Sequence, residues 1–177
     1  MKSKIYITGA AGFIGFHTAK KFLDKGIKVH GFDSINDYYD VRLKISRLNI
    51  LKKYKNFSFT KGLLENQKLL NKSVLKFKPI IMIHLAAQAG VRYSIDNPDV
   101  YLTSNIVGTF NVIKIANKIK AKHLIIGSSS SVYGANKKIP FQEIDKTDHQ
   151  VSFYAATKKS AESLAHSYSS LWKLPIT

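Results

Sequence analysis

Three glycines near the start of the chain, Gly9, Gly12 and Gly15, constrain its fold more than any other feature. They follow an apolar stretch at 4–8 that predicts a strand, and they open a segment at 12–25 that predicts a helix. Glycines at such a junction allow a tight turn and let the backbone approach a pyrophosphate, which rests on the helix N-terminus. The candidates for holding that group are Gly9, Ala11, Gly12, Phe13, Ile14 and Gly15.

Strand-like and helix-like segments alternate along the rest of the chain. Apolar stretches predict strands at 28–33, 57–61, 79–86 and 123–127. Segments with helical character predict helices at 38–54, 65–77, 98–120 and 152–172, the last with Ser152 as its N-cap. The alternation predicts an α/β fold, a Rossmann-like doubly wound parallel sheet flanked by helices, in one NAD(P)-binding domain over 1–177.

The second predicted strand ends on an acidic residue. Asp33 lies 18 residues after Gly15, where a carboxylate can accept hydrogen bonds from both ribose hydroxyls of a dinucleotide. The same negative charge would repel a 2′-phosphate. We therefore expect NAD as the cofactor in preference to NADP.

A tyrosine and a lysine four residues apart lie on one face of the predicted helix 152–172. They are Tyr154 and Lys158. An ammonium beside a phenol stabilises the phenolate and lowers the tyrosine pKa from its usual value of about 10. A phenol in that state is a general base. Such pairs are also common on helix surfaces, and the cofactor turn and Asp33 are what favour the catalytic interpretation.

Composition and charge limit the possible partners. The 177 residues include no cysteine, so disulfides and thiolate chemistry are excluded. Residues 1–4 show no signal peptide and no apolar stretch is long enough to span a bilayer, so we expect a cytoplasmic protein with no membrane partner. The net charge of +17 comes from lysines scattered over predicted helices, which favours solvated surfaces over nucleic-acid binding. Those lysines are Lys20, Lys21, Lys44, Lys52, Lys53, Lys114 and Lys118.

Three further blocks, at 84–94, 128–134 and 154–159, accompany the glycine turn. In combination, from the first strand to Thr177, they resemble the extended short-chain dehydrogenase/reductases. The resemblance is closest to the UDP-glucuronate 4-epimerase branch of the nucleotide-sugar epimerases. It implies NAD as the cofactor, a UDP-sugar as the substrate and no metal.

The resemblance also implies roles for individual residues. Tyr154 would take the proton from the sugar 4-hydroxyl, and Lys158 would hold the nicotinamide ribose. Ser129 would be the catalytic serine, with its neighbours in the cluster as alternatives. The residues that would line the cofactor are Leu85, Ala86, Ala87 and Asn105, and weaker substrate contacts would come from Gln88, Arg92, Ser130 and Ser131. A surface salt bridge is an equal alternative for Arg92.

The implied chemistry is an inversion at C4 of the sugar. NAD⁺ accepts hydride from C4 while Tyr154 accepts the hydroxyl proton, the resulting 4-keto sugar turns over, and hydride returns to its opposite face. The related 4,6-dehydratases have Thr-Asp-Glu where this chain has serines, so we do not expect dehydration. Another UDP-sugar, such as UDP-glucose or UDP-galactose, is the alternative substrate.

The chain departs from the family pattern in two places. Leu63 replaces an aspartate that holds adenine in relatives, so either Glu65 substitutes or that contact is lost. At 174–177 the sequence predicts the start of another strand, whereas relatives continue into a smaller C-terminal substrate domain. We therefore expect the cofactor-binding portion of an epimerase, or a non-catalytic NAD-binding fragment. In relatives the helices matching 98–120 and 152–172 form a dimer interface, so we expect a homodimer.

Overall fold

Five parallel strands form the sheet at the centre of the molecule. In the computed structural model, which describes residues 4–177, they are β1 (Lys4–Thr8), β2 (Lys28–Asp33), β3 (Phe57–Lys61), β4 (Ile81–His84) and β5 (His123–Ile126). The strand order is β3-β2-β1-β4-β5, and every neighbouring pair is parallel. The predicted doubly wound sheet is confirmed. Residues 1–3, to which the expectation about the N-terminus refers, lie outside the described residues.

Helices connect the strands and cover both faces of the sheet. They are α1 (Phe13–Asp24), α2 (Val41–Lys52), α3 (Gln67–Phe77), α4 (Tyr93–Asp96), α5 (Pro98–Tyr101), α6 (Gly108–Lys118) and α7 (Phe153–Trp172). Ser152 is the N-cap of α7, since its side chain accepts a hydrogen bond from the N–H of Ala155 at 3.1 Å. None of the helices in residues 4–177 is long and apolar enough to cross a membrane.

The predicted helix 98–120 is divided into three parts. Between α5 and α6 the chain forms a π-helix at Leu102–Val107, and a short 3₁₀-helix occupies Ser130–Tyr133. Sequence periodicity predicted neither, because a six-residue π-helix and a four-residue 3₁₀-helix are too short to show a period of their own. The π-helix carries Asn105, whose contacts are described below.

Two hydrophobic clusters lie on opposite faces of the sheet. On one face Ile5 and Ile7 of β1 pack with Phe16 and Ala19 of α1. On the other face Tyr6 packs with side chains of α3 and α6, including Leu70, Val74, Val112 and Ile113. Because successive strand residues point to opposite faces and both faces are covered, the central strands β1 and β4 carry apolar side chains at most positions.

The free edge of β5 is partly covered by residues 174–177. Ile176 pairs with Leu124 in parallel, and the N–H of Thr177 donates to the Leu124 carbonyl at 3.0 Å. The strand predicted at 174–177 is therefore present as a short β-bridge.

Two buried histidines make the stability of this fold sensitive to acid. Burial lowers the pKa of His30 to about 4 and the pKa of His84 to about 3, with smaller contributions from Lys76 and Lys158 respectively. In the unfolded chain both histidines titrate near 6.5. Below pH 6.5 the unfolded chain therefore binds protons that the folded chain does not. The stabilisation is complete above pH 6.5 and is lost as the pH falls toward the folded pKa values.

We predict that the free energy of unfolding falls between pH 7 and pH 5 by about 2 kcal/mol for each of these histidines. Urea denaturation at the two pH values measures the change. The variant His30→Gln should show about 2 kcal/mol less pH dependence, because an amide does not titrate. His166→Gln is the control, since His166 is exposed. Equal pH dependence in His30→Gln and the wild type would contradict the assignment.

Candidate functional site

A cleft of about 670 Å³ opens where the carboxyl ends of β1, β2, β4 and β5 meet. Ligands of doubly wound sheets bind at this edge, beside the point where the strand order reverses. Twelve of the residues predicted from the sequence line the cleft. They are Gly9, Gly12, Phe13, Ile14, Gly15, Asp33, Leu85, Ala86, Ala87, Gln88, Tyr154 and Lys158.

The glycine turn forms one wall of the cleft at the start of α1. Gly9 has φ +74°, a conformation that favours glycine, and its N–H donates to the Phe32 carbonyl at 2.8 Å. Gly12 is the N-cap of α1 and supplies no side-chain cap. The first N–H groups of α1 therefore keep their capacity to bind an anion at the positive end of the helix.

The carboxylate of Asp33 supports the same turn. One oxygen accepts a hydrogen bond from the N–H of Ala11 at 3.0 Å, and the other accepts from the N–H of Ile35 at 2.9 Å. The backbone of Ala11 is thereby held by Asp33, and Ala11 itself does not line the cleft. Each carboxylate oxygen has a second lone pair, so Asp33 can still accept from ribose hydroxyls.

The backbone after β4 is held by a buried chain of hydrogen bonds. The Thr8 hydroxyl oxygen accepts from the N–H groups of Leu85 and Ala86, both at 3.2 Å. Its own hydrogen is then directed to Nδ1 of His84 at 2.7 Å. Nε2 of His84 lies 3.0 Å from the Thr109 hydroxyl, to which it donates in this tautomer. The network fixes residues 85 and 86, which line the cleft.

Tyr154 and Lys158 reach the cleft from the first turns of α7. Lys158 is buried, and its ammonium donates to the Gly127 carbonyl at 2.5 Å. Burial lowers the pKa of Lys158, and the negative charge of Glu162 acts in the opposite direction. The ring of Tyr154 meets the ring of Tyr101 edge-on, with centroids 6.0 Å apart. The pair predicted from its spacing therefore opens on the same cleft as the glycine turn.

One member of the serine cluster at 128–131 lines the cleft. Ser128 lines the cleft and donates to Glu162 at 2.6 Å. Ser129, the predicted catalytic serine, is the N-cap of the 3₁₀-helix, and its oxygen accepts from the N–H of Ser131 at 3.2 Å. Ser129, Ser130 and Ser131 do not line the cleft.

Asn105 and Arg92 also lie off the wall. Asn105 is buried, and its amide is bonded to the backbone of Gln88 and to Thr157. It supports the wall from behind. Arg92 is exposed at the start of α4. Within residues 4–177 it forms neither a salt bridge nor part of this wall.

Two cationic side chains of α2, Lys44 and Arg47, line the cleft. Lys44 was expected on a solvated helix face but is buried. Its ammonium donates to the Asn36 carbonyl at 2.8 Å and lies 4.4 Å from the centre of the Tyr39 ring. Burial lowers its pKa, and Asp33 and Asp37 oppose that shift. Arg47 also lines the cleft, and its guanidinium donates to the Ala11 carbonyl of the glycine turn at 3.4 Å. Leu63 and Glu65 line the cleft as well. No local signal distinguished Lys44 and Arg47 from the other basic residues of α2.

Comparison with known proteins gives a consistent picture. The family described as GDP-mannose 4,6 dehydratase matches residues 6–177. A probable UDP-glucuronate 4-epimerase from Rhizobium meliloti is 50% identical over 171 residues, which are 97% of this chain and 50% of that protein. The chain spans about half the length of the curated relatives it matches.

Solved structures with the same fold include two epimerases. The UDP-glucuronic acid 4-epimerase from Bacillus cereus, in complex with UDP-glucuronic acid and NAD, superposes with a TM-score of 0.90 at 33% identity. The match covers 98% of this chain and 55% of that one. The UDP-glucose 4-epimerase from Thermotoga maritima, with UDP-glucose, superposes with a TM-score of 0.87 at 27% identity, over 98% of this chain and 53% of that one.

Proposed function

The chain belongs to the GDP-mannose 4,6 dehydratase family, within the extended short-chain dehydrogenase/reductases, and we propose that residues 1–177 form the NAD-binding domain of a cytoplasmic nucleotide-sugar 4-epimerase. The proposed substrate is UDP-glucuronate and the proposed product is UDP-galacturonate. Both the Rhizobium and the Bacillus relatives carry that activity in their names. UDP-glucose is the alternative substrate that we propose for this chain, because the Thermotoga epimerase was solved with UDP-glucose.

One observation carries the proposal. Tyr154 and Lys158 lie on the wall of the same cleft as the glycine turn and Asp33, although the two groups are far apart in sequence. A general base is useful to a redox cofactor only where both reach one substrate atom. A surface pair with no chemical role would have no reason to face this cleft.

The residues of the cleft suit NAD. A Cβ added to Gly9 would lie 2.7 Å from the backbone nitrogen of Ala86, so only glycine leaves the turn open. The uncapped start of α1 offers N–H groups to a pyrophosphate, and Asp33 can accept from a ribose. When bound, NAD supplies the hydride acceptor and donor of the reaction.

The protein side of the mechanism uses three side chains. Tyr154 accepts the proton of the sugar 4-hydroxyl and returns it after the ketone has turned. Lys158, one helical turn away, supplies a positive charge on the same cleft wall and by resemblance holds the nicotinamide ribose. Ser129 remains the proposed catalytic hydroxyl by resemblance, and Ser128, which faces the cleft, is the alternative. Each group binds, orients or moves a proton and none is consumed.

The direct test is turnover by the protein at its full natural length. With NAD⁺ and UDP-glucuronate we expect the protein to form UDP-galacturonate. Anion-exchange chromatography measures the amounts of the two sugar nucleotides. UDP-glucose and UDP-N-acetylglucosamine are run in parallel to rank the sugars. Turnover of UDP-glucose alone would overturn the substrate assignment and keep the reaction. No turnover of any of the three would overturn the reaction itself.

The second candidate is an NAD-binding fragment without catalysis. It is motivated by the chain's length, about half that of its relatives. Calorimetry of the 177-residue chain separates the two candidates. Binding of NAD⁺ together with UDP-glucuronate favours a catalytic unit, whereas binding of NAD⁺ alone favours the fragment.

We also propose a homodimer formed through the helical segments 98–120 and 152–172, which include α6 and α7. An aromatic group on these helices supports it: the rings of Tyr168 and Trp172 lie 4.3 Å apart, the ring of Phe110 lies beside Tyr168, and Trp172 is exposed. Exposed aromatic side chains are enriched in protein interfaces. Sedimentation equilibrium should give twice the 19.9 kDa chain mass, and a single-chain mass would contradict the proposal.

A further inference from the structure

The backbone of Tyr154 is held at both ends by buried hydroxyls that do not line the cleft. Its N–H donates to the hydroxyl oxygen of Ser94 at 3.2 Å. Its carbonyl accepts from the hydroxyl of Thr157 at 2.8 Å. Ser94 and Thr157 are each 1% exposed, so water does not compete for either bond. No part of the proposed mechanism uses these two residues.

Both hydroxyls lead to one short stretch of backbone, residues 88–91, which we call the wall segment. Ser94 donates its hydrogen to the carbonyl of Val91 at 2.6 Å. Thr157 accepts from the side-chain amide of Asn105 at 3.1 Å. That amide group also holds Gln88, accepting from its N–H at 2.7 Å and donating to its carbonyl at 3.0 Å. Gln88 and Ala89 lie on the cleft wall.

The hydrogens of this network fit only one arrangement. Thr157 has a single hydroxyl hydrogen, which goes to the Tyr154 carbonyl, so its oxygen must accept from Asn105. The two amide hydrogens of Asn105 are then both used, one on Thr157 and one on Gln88, and its oxygen receives the Gln88 N–H. Within residues 4–177 no buried side-chain nitrogen or oxygen lacks a partner. Fully satisfied buried networks are rigid.

We propose that Thr157 is a positioning residue that joins the wall segment, through Asn105, to the backbone of Tyr154. Tyr154 and the wall segment then keep one fixed relative position. A substrate bound against the wall segment is therefore placed correctly for proton transfer to the Tyr154 phenol oxygen. Misplacement of a reacting group by a small distance slows a reaction strongly. The catalytic meaning of the link rests on the proposed function, whereas its existence does not.

The test uses a pair of variants that differ in one hydroxyl. Thr157→Val keeps the side-chain shape and removes the hydroxyl, so Asn105 loses an acceptor in a buried site. Thr157→Ser keeps the hydroxyl and should behave like the wild type. The control is Ser160→Ala, because Ser160 donates only to the Ala156 carbonyl of its own helix, at 2.8 Å. Thermal melting confirms that all three variants are folded.

The first readout is hydrogen exchange of the Gln88 amide, measured by NMR on the 177-residue chain. We expect exchange about tenfold faster in Thr157→Val, and unchanged in Thr157→Ser and Ser160→Ala. A wild-type rate at Gln88 in Thr157→Val would overturn the link. The link would also be overturned if the Gln88 amide exchanged as fast in Thr157→Ser as in Thr157→Val.

The second readout is turnover by the full-length protein. Thr157→Val should lower kcat about tenfold and leave KM and NAD affinity within about twofold, because positioning acts on the transition state. A rise in KM with kcat unchanged would overturn the positioning role. If the wild-type protein turns over no UDP-sugar, the proposed function fails, and the exchange of Gln88 still decides whether the link exists.

Discussion

Replacing Tyr154 with phenylalanine is expected to lower turnover on the order of 10³-fold or more, and to leave NAD affinity within about tenfold. The variant removes the phenol oxygen, which is the proposed proton acceptor, and general base catalysis is worth roughly 10²–10⁴-fold. The ring stays, so its edge-on contact with Tyr101 and the N-terminal turn of α7 are kept. Cofactor affinity is measured by calorimetry and turnover by chromatography.

A second tyrosine on the same helix provides the matched control. Tyr168 packs against Phe110 and Trp172 and does not line the cleft. Tyr168→Phe should therefore keep wild-type turnover. If Tyr154→Phe keeps more than a tenth of the wild-type rate, Tyr154 is not the base, and a residue elsewhere must accept the proton.

The features predicted well from sequence are those that depend on neighbouring residues. The bounds of β1, β2 and β3 agree with the prediction residue for residue, because apolar strand runs ended by glycine or charged residues are local signals. The N-cap at Ser152 was also predicted correctly, because a serine directly before a helix is a local signal. The meeting of the glycine turn with Tyr154 and Lys158 in one cleft followed from the fold type, since strand order brings these carboxyl ends together.

The features that sequence reasoning missed depend on contacts between distant segments. Asn105 was predicted to line the cofactor, and only the fold shows that its amide is bonded to Gln88 and Thr157. Lys44 resembles every other surface lysine in sequence, and only the fold shows that Asn36 and Tyr39 bury it. A side chain's burial is set by the packing of the whole chain, and a local pattern does not contain it.

The serine cluster helps to place the chain within a family whose description names a dehydratase. Elimination of water needs an acid and a base near C5 and C6 of the sugar. Residues 128–131 offer only hydroxyl groups, and the carboxylate bonded to them, Glu162, accepts from Ser128 and lies 3.5 Å from the Lys159 ammonium. This arrangement supports the proposed epimerisation over dehydration.

Adding a single methyl group at Gly15 is expected to disable the cofactor turn. A Cβ at this position would lie 2.0 Å from the carbonyl oxygen of Gly9 and 2.7 Å from its carbonyl carbon. Both atoms belong to backbone, which cannot rotate away as a side chain can, so α1 and the turn must separate. We expect Gly15→Ala to lower the free energy of unfolding by about 3 kcal/mol, the upper end of typical overpacking costs.

The same displacement should weaken NAD binding by about 100-fold or more, because the N–H groups of α1 would no longer converge on the pyrophosphate. Gly26→Ala is the control. Gly26 has φ +72°, but a Cβ there meets nothing within 4 Å, so only backbone strain of about 1–2 kcal/mol is expected and NAD affinity should not change. Calorimetry and urea denaturation measure both effects. Equal NAD affinity in Gly15→Ala and the wild type would mean that the pyrophosphate does not rest on this turn.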